Sequence, residues 1–573
     1  MSDEQRAGLA LLLMVLVLML WSRFYKPAVP AKPAETNPPA ATVQSQKPTP
    51  SAVAPAPAAT EKSKTSTAAE TTTHASAPRK EAAQEEIIAV ESPLYRVELS
   101  NHGGVVHSWK LDKYRDNETP PKPQELVNAS AAGQLNAWPL SIHLDDPRLT
   151  AAANNGLYVV KGSSTDVHAP SEVDFEWSDG HLDVLKQLKF DIGYKIELSV
   201  SATLDGQPLS VGISWGGGFG DQSVPNASAL TQVFYSESNK IEALSYKKLG
   251  VKTHEIPVQV TGFIDAAGIE DQFFTAAFLP NRPGMNLWDW TQTQNVTEEG
   301  KTSQVPVPEM AAGSQTPGPW EVQLYVGPKE LSELGKLEPN LTGLVQFGYM
   351  SFIAKPLLKI LKWSYKYVPN YGWDIVLLTL AINMALFPFK AKSWRSMKKM
   401  QDVAPKQKAI QEKYKKYSMR DPRRRQMQEE IGALYKEHGV NPLGSCLPQL
   451  VQFPIWWALY RMLEFSIELR HAPWFGWIHD LSARDPYYIL PILMTVAMYY
   501  MTKMTPQTMT DPAQQKMMTL MPLAFGIFLF LYSSGLVLYI FTSSLVGIGQ
   551  QWYLNRSDPL PSRSKFKNKP PKA

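Results

Sequence analysis

The chain has 573 residues, too many for one domain and enough for two or three. Its formal charge of +4 is small. Lysine and arginine crowd into 390–436 and the tail after Arg556 instead of covering a folded face with stacking aromatics, which argues against specific nucleic-acid binding. The single cysteine, Cys446, excludes an internal disulfide and has no Cys or His neighbour at metal-ligand spacing; it reads as a small apolar residue at a helix start.

Ala7 to Trp21 is an apolar run interrupted only by Gly8, with Arg6 before it and Arg23 and Lys26 after it. It suits a signal-peptide core or a membrane anchor. The aromatic and charged residues that follow lack a small-x-small cleavage site, so residues 1–26 are read as an uncleaved transmembrane anchor. Residues 27–87 are rich in Pro, Ala, Thr and Ser and too poor in apolar side chains to bury a core, which predicts a disordered or extended linker.

Residues 88–340 read as one large β domain. Period-two stretches such as Tyr95-Arg-Val-Glu-Leu99, Tyr194-Lys-Ile-Glu-Leu198 and Trp320-Glu-Val-Gln-Leu324 are separated by turn signals at Asn101–Gly104, Ser178-Asp-Gly180 and Asp205-Gly206. The spacing suits an antiparallel sandwich. His102, His107, His143, His168 and His254, with Glu270 and Asp271, form a conceivable acid–base set for sugar chemistry. The alternative is surface and satisfied core residues.

Residues 341–370 predict an amphipathic helix lying in the interface. Phe347, Phe352, Leu357, Leu361 and Trp363 are interleaved with Lys355, Lys359, Lys362 and Lys366, and Asn370-Tyr-Gly372 breaks the helix. Five apolar spans follow, at about 373–389, 447–469, 487–501, 517–532 and 536–553, making six transmembrane helices with the anchor. Several are shorter than the roughly 20 residues that cross an ordinary bilayer, which local thinning of the lipid accommodates. The segment 390–440 is basic and helical, punctuated by Pro405 and Asp421-Pro422, and predicts a helical hairpin bent near 418–422. The positive-inside rule makes it cytoplasmic. That choice puts the β domain outside and both termini inside, with 556–573 a basic cytoplasmic tail.

The chain has no Gly-x-x-x-x-Gly-Lys-Ser/Thr loop, no His-Glu-x-x-His and no Gly-x-Ser-x-Gly. Ser533, Ser534, Ser543 and Ser544 have no mid-span lysine to activate them. The expectation is a protein that is not an enzyme and needs no cofactor or metal.

Asn441-Pro-Leu-Gly444, Gln452-Phe-Pro-Ile-Trp-Trp-Ala-Leu-Tyr460, Trp477-Ile-His-Asp-Leu-Ser482, Asp485-Pro-Tyr-Tyr-Ile-Leu-Pro491, Asp511-Pro with Gln515-Lys516, Met521-Pro522 and Ser534-Gly-Leu-Val-Leu-Tyr539 occur in this order along the helical half. They resemble the YidC family of membrane protein insertases, and the layout resembles its Gram-negative form. The resemblance implies a multi-domain protein: a polytopic α-helical membrane core, 371–555, plus a periplasmic all-β supersandwich. It implies insertion and chaperoning of membrane proteins, with or without the Sec translocon, through a hydrophilic groove open to cytoplasm and lipid. Implied partners are nascent membrane proteins, the Sec translocon, the ribosome, a targeting receptor and anionic lipids. A wet half-channel makes physical sense, because a charge at mid-bilayer costs roughly 2.5–3.5 kcal/mol on insertion scales.

The family pattern places an arginine four residues after a threonine and five before a proline. Thr379 and Pro388 match; the arginine position holds Asn383. Either Asn383 hydrates the groove without a charge, or Arg461 in the second core span supplies it from about the same depth. Against the second, Gln452 and Arg461 lie on opposite sides of a helix, which favours an Arg461–Glu464 pair. Ile540 stands where relatives often have a second tyrosine, which leaves Tyr539 for substrate contact. The groove residues are thus Thr379, Asn383, Gln452, Tyr539 and Arg461. Lys398, Lys399, Lys406, Lys413 and Arg424 are the expected cytoplasmic contacts of the hairpin. A transporter or channel, or a membrane-anchored periplasmic sugar-binding protein, are the competing readings.

Overall fold

The computed structural model describes residues 78–161, 166–224, 227–238, 240–244, 254–298, 301–417, 421–439, 447–505 and 512–557. The expected anchor, most of the linker, Cys446, the Asn441–Gly444 motif and nearly all of the basic tail lie outside the described residues.

Among the described residues the β region forms a ten-stranded sheet and two five-stranded ones. The alternating stretches of the sequence become the strands Tyr95–Ser100, Lys195–Leu204 and Trp320–Pro328, whose inward positions are buried. Asp205 and Gly206, at φ of 49° and 77°, turn the chain between Lys195–Leu204 and Gln207–Pro208. Composition sets the start of the β region at 88, but the chain joins it earlier. Lys80 and Ser178 exchange backbone hydrogen bonds at 3.0 and 2.9 Å, and Ala82 donates to the Leu157 carbonyl at 2.9 Å. Backbone pairing needs no apolar side chain, so composition is blind to it. Four short helices decorate the sheets: α1 (Ala129–Leu135), α2 (Pro147–Asn155), α3 (Ala227–Leu230) and α4 (Leu331–Leu334).

The helical half comprises α5 (Ser351–Tyr365), α6 (Tyr371–Lys413), α7 (Arg423–Glu437), α8 (Leu447–Phe465), α9 (Ile489–Met504), α10 (Pro512–Leu529) and α11 (Ser534–Ser557). Helix α5 buries Ala354, Leu358 and Leu361 and packs on α8, while Phe352, Ile360 and Trp363 face outward. The expected break is present. The Asn370 side chain caps α6 by accepting from the Trp373 N–H at 3.2 Å and donates to the Trp474 carbonyl at 3.2 Å. Trp474 lies so close over Gly372 that a Cβ there would sit 2.1 Å from the indole.

The sequence separates the first core span from the basic hairpin, but α6 runs through both as one 43-residue helix with Pro388 and Pro405 inside it. Pro388 removes the backbone donor that would serve the Met384 carbonyl, so this turn is one bond short. Gln550 of α11 braces it by donating to the adjacent Asn383 carbonyl at 3.0 Å. Beyond Lys413 the chain turns back, and Tyr414, Met427 and Ile431 make a small core between the arms. By length and composition α6 is, among the described residues, the one helix suited to cross a bilayer; Ile489–Met504 and Gln515–Leu529 are apolar but shorter. Helix α11 is the hub of the bundle and packs on α6, α8 and α9.

Candidate functional site: a polar seam between α6, α8 and α11

On α6, Thr379, Asn383 and Lys390 recur at four and seven residues and share one face; on α11, Tyr539, Ser543 and Gln550 do the same. The two faces meet. Asn383 is 2% exposed, and its amide Nδ2 donates to the Thr379 carbonyl at 2.9 Å and to Ser543 Oγ at 3.3 Å. Its Oδ1 accepts from Lys390 Nζ at 2.7 Å, and the same ammonium reaches Gln550 Oε1 at 3.4 Å. Asn383 is therefore fully subscribed, as a polar residue buried in an apolar bundle must be.

The other expected groove residues divide. The Thr379 hydroxyl is turned into its own helix, donating to the Ile375 carbonyl at 2.6 Å. Gln452, half-buried on α8, lies within hydrogen-bond reach of the Tyr539 hydroxyl, which joins α8 to the seam. Tyr539 and Ile540 are both buried, at 2% and 7% exposed. Arg461 is not brought to Asn383. Its guanidinium stacks 4.0 Å over the Phe465 ring and donates to the Gln346 carbonyl at the β-region end of α8. Glu464 lies near enough for the two charges to attract, and its backbone carbonyl accepts from Gln272 at 2.8 Å.

Sequence reasoning assigned Lys390 to the basic hairpin, and weighed Ser543 only as an unactivated nucleophile. Their signal was helical register: Lys390 follows Asn383 by seven residues, as Gln550 follows Ser543. Of the hairpin set, Lys413 pairs with Glu430 at 2.8 Å, Lys406 approaches His438 at 2.9 Å and Arg424 donates to the Tyr417 carbonyl at 3.0 Å. Lys398 sits 5.7 Å over the Trp394 ring, and Lys399 is exposed.

The histidine and carboxylate set of the β region is dispersed. Glu270 pairs with Lys329 at 2.8 Å with both side chains buried, and Asp271 accepts from the Phe273 and Phe274 N–H groups at 2.7 and 2.6 Å. His143 lies against Trp288 and Trp290, with ring centroids 4.7 and 5.9 Å away. His168 approaches Glu91 at 3.8 Å. Glu270 and Asp271 share Lys329, which also donates to the Asp271 carbonyl at 2.9 Å, while His143 and His168 lie among other partners.

The described residues thus join a large β region to an apolar helical bundle that carries a polar seam between α6 and α11. Comparison with known proteins gives it a class, that of the membrane protein insertases. The family model described as "60Kd inner membrane protein" matches residues 363–560, and the one described as "YidC periplasmic domain" matches 87–360. A curated relative, "Membrane protein insertase YidC" of Syntrophus aciditrophicus (strain SB), is 33% identical over 571 residues, 96% of this chain and 99% of its own. A relative of the same name from Wolinella succinogenes is 48% identical over 233 residues, 41% of this chain and 42% of its own. Among solved structures, a crystal structure described as an active YidC insertase with its first transmembrane domain resolved is 18% identical. It covers 84% of this chain and 95% of that one, with a TM-score of 0.35.

The chain belongs to the YidC family. It is a membrane protein insertase of the inner membrane, its β region is the periplasmic domain, and its substrates are nascent membrane proteins.

Proposed function

We propose that the polar part of an inserting chain moves along the seam of Thr379, Asn383, Gln452 and Tyr539 while its apolar span leaves sideways into lipid. The observation that supports this is Asn383: a buried amide whose partners come from two helices and a lysine, placed within the apolar half of α6. In hydrocarbon, each unsatisfied backbone polar group costs several kcal/mol. A seam of exchangeable donors and acceptors lowers that cost along the path. The membrane potential adds about 2.3 kcal/mol per charge per 100 mV for an acidic segment. Arg461, turned toward Gln346, serves the junction with the β domain in this reading and not the seam.

The wider assignment belongs to the same proposal. Helices α6, α8, α9, α10 and α11 are the five core spans and residues 1–26 the sixth. The hairpin and both termini are cytoplasmic, and the outward Phe352, Ile360 and Trp363 of α5 lie in the interface. Lys398, Lys399, Lys406, Lys413 and Arg424 meet anionic head groups, the ribosome or a targeting receptor, and the core works beside the Sec translocon as well as alone.

The test is reconstitution of the purified protein in liposomes with a short-tailed substrate, read as protease protection of the translocated tail. Protection well above empty liposomes, reduced in Tyr539→Ala and Gln452→Ala with folding intact, supports the route. Protection unchanged in both variants removes the seam from it.

A further inference from the structure

A helix leaves its first N–H groups without partners of its own. In the bundle one segment, 470–488, meets that need at the start of three helices. The Ala483 and Leu481 carbonyls accept from the Ser534 and Gly535 N–H groups at 2.7 and 2.8 Å, where α11 begins. The Asp485 carboxylate accepts from the Leu490 N–H at 2.7 Å, where α9 begins. The Trp474 carbonyl accepts from Asn370 Nδ2 at 3.2 Å and its indole lies over Gly372, where α6 begins. The segment therefore sets where these helices start relative to one another.

The segment is itself fastened at its first residue. Arg470 pairs with Asp221 of the β domain, with both side chains buried, and its guanidinium lies 5.3 Å from the centre of the Phe274 ring. From there the path to α11 is short. The carbonyl of Ala472, two residues on, accepts from the Leu481 N–H at 3.0 Å, and the Leu481 carbonyl is the one that accepts from Gly535. The end of α8 is held from the same side, because Gln272 of the β domain serves the Glu464 carbonyl, one of the last in the helix and without a donor inside it. The β-domain groups are also tied to each other. Asp271 accepts from the Asp221 N–H at 2.9 Å, and Lys329 joins the Asp271 carbonyl to Glu270. Separating a buried arginine from its carboxylate is costly. The segment thus leaves the β domain only by breaking that pair.

We propose that Arg470 is a positioning residue for insertion: through it the β domain fixes the segment 470–488, and with it the relative positions of the starts of α6, α9 and α11. The proposal does not rest on the route along the seam. It gives the β domain a part in shaping the bundle through a contiguous path of hydrogen bonds, from Asp221 through Arg470, Ala472 and Leu481 to Gly535.

The experiment uses the full-length protein, with Cys446→Ser as background, in lipid bilayers. Spin-label distances are measured for two pairs of exposed positions. One pair, Leu377→Cys with Leu531→Cys, lies in the bundle; the other, Ile192→Cys with Phe263→Cys, lies within the β domain. Each pair is combined with Arg470→Met, with Asp221→Asn, with both together, and with Ile431→Ala as a destabilised control in the hairpin. The rate of protease protection of a short-tailed substrate is measured for the same variants without labels. The expected result is a shift or broadening of about 2 Å in the bundle pair and a loss of about five-fold in rate, in Arg470→Met and in Asp221→Asn alike. The β-domain pair keeps its wild-type distance, the double variant recovers part of both losses, and Ile431→Ala alters neither. Asp221→Asn keeps the shape of the side chain, so the test survives if Arg470→Met does not fold. A bundle pair unchanged in Asp221→Asn, with only the melting temperature lowered, would reduce the ion pair to a stabilising contact and overturn the proposal. Equal changes in both pairs would overturn it as well, by tracing the effect to a loosened β domain. A shifted bundle pair with an unchanged rate would remove Arg470 from insertion.

Discussion

Arg470 and Asp221 form a buried ion pair between the helical half and the β domain: the guanidinium Nη2 lies 2.6 Å from Asp221 Oδ2, with the side chains 3% and 4% exposed. The same Nη2 donates to Gln124 Oε1 at 2.6 Å, and the Asp221 backbone N–H donates to Asp271 Oδ2 at 2.9 Å. Lys329 then donates to the Asp271 carbonyl at 2.9 Å and pairs with Glu270. The segment after α8 is thereby keyed into the ends of several strands. Arg470→Met leaves Asp221 buried without its counter-ion and is expected to cost about 3 kcal/mol. The double variant Arg470→Met/Asp221→Asn is expected to recover part of that. Thermal unfolding of the full chain in detergent checks both; a single variant as stable as wild type would show that the pair is not holding the junction.

The 2.7 Å contact between Lys390 and Asn383 makes a charge-exchange prediction. Asn383→Arg places a second cation against Lys390 and is expected to lower both stability and insertion. Asn383→Arg/Lys390→Met carries one cation at the same place and is expected to approach wild type. A double variant worse than either single one, in a protease-protection assay with folded protein, would contradict the relationship.

Asp289 of the β domain gives a pH dependence. Burial pushes its carboxyl up from near 3.8 to about 7. A folded-state pKa above the unfolded one stabilises the fold below about pH 4, and that stability is lost as pH rises through about 7. Asp289→Asn is therefore expected to raise stability at pH 8, by up to about 4 kcal/mol for a carboxyl moved from near 3.8 to about 7, and to leave it unchanged at pH 4. Equal shifts at both pH values would point to packing in place of charge.

In the hairpin, the small core and the ion pair differ in weight. Ile431 is 7% exposed against Tyr414 and Met427, so Ile431→Ala is expected to cost about 2 kcal/mol locally. Lys413→Gln breaks an exposed pair with Glu430 and is expected to leave stability near that of wild type. Hydrogen exchange over 410–417 and 427–435 distinguishes them: faster exchange in Ile431→Ala and near wild-type exchange in Lys413→Gln.

The sequence alone determined whatever is local. Period-two alternation placed strands at Tyr95, Lys195 and Trp320, and Asn370 and Gly372 marked the break before α6. The order of motifs along the helical half carried the family. Thr379, Asn383, Gln452 and Tyr539 came from the family pattern that those motifs carry, not from composition. What tertiary structure decided is who meets whom. Proline in the sequence reads as a boundary, yet α6 passes through Pro388, at a turn where Gln550 of α11 donates to the Asn383 carbonyl. Depth along a helix made Arg461 a candidate for the missing charge, but the side chain turns to the Gln346 carbonyl at the junction with the β domain. Lys390 looked like one more residue of a basic run, because charge clusters show no direction. Which way a lysine extends depends on the acceptors its neighbours offer, and Asn383 and Gln550 come together only when α6 packs on α11.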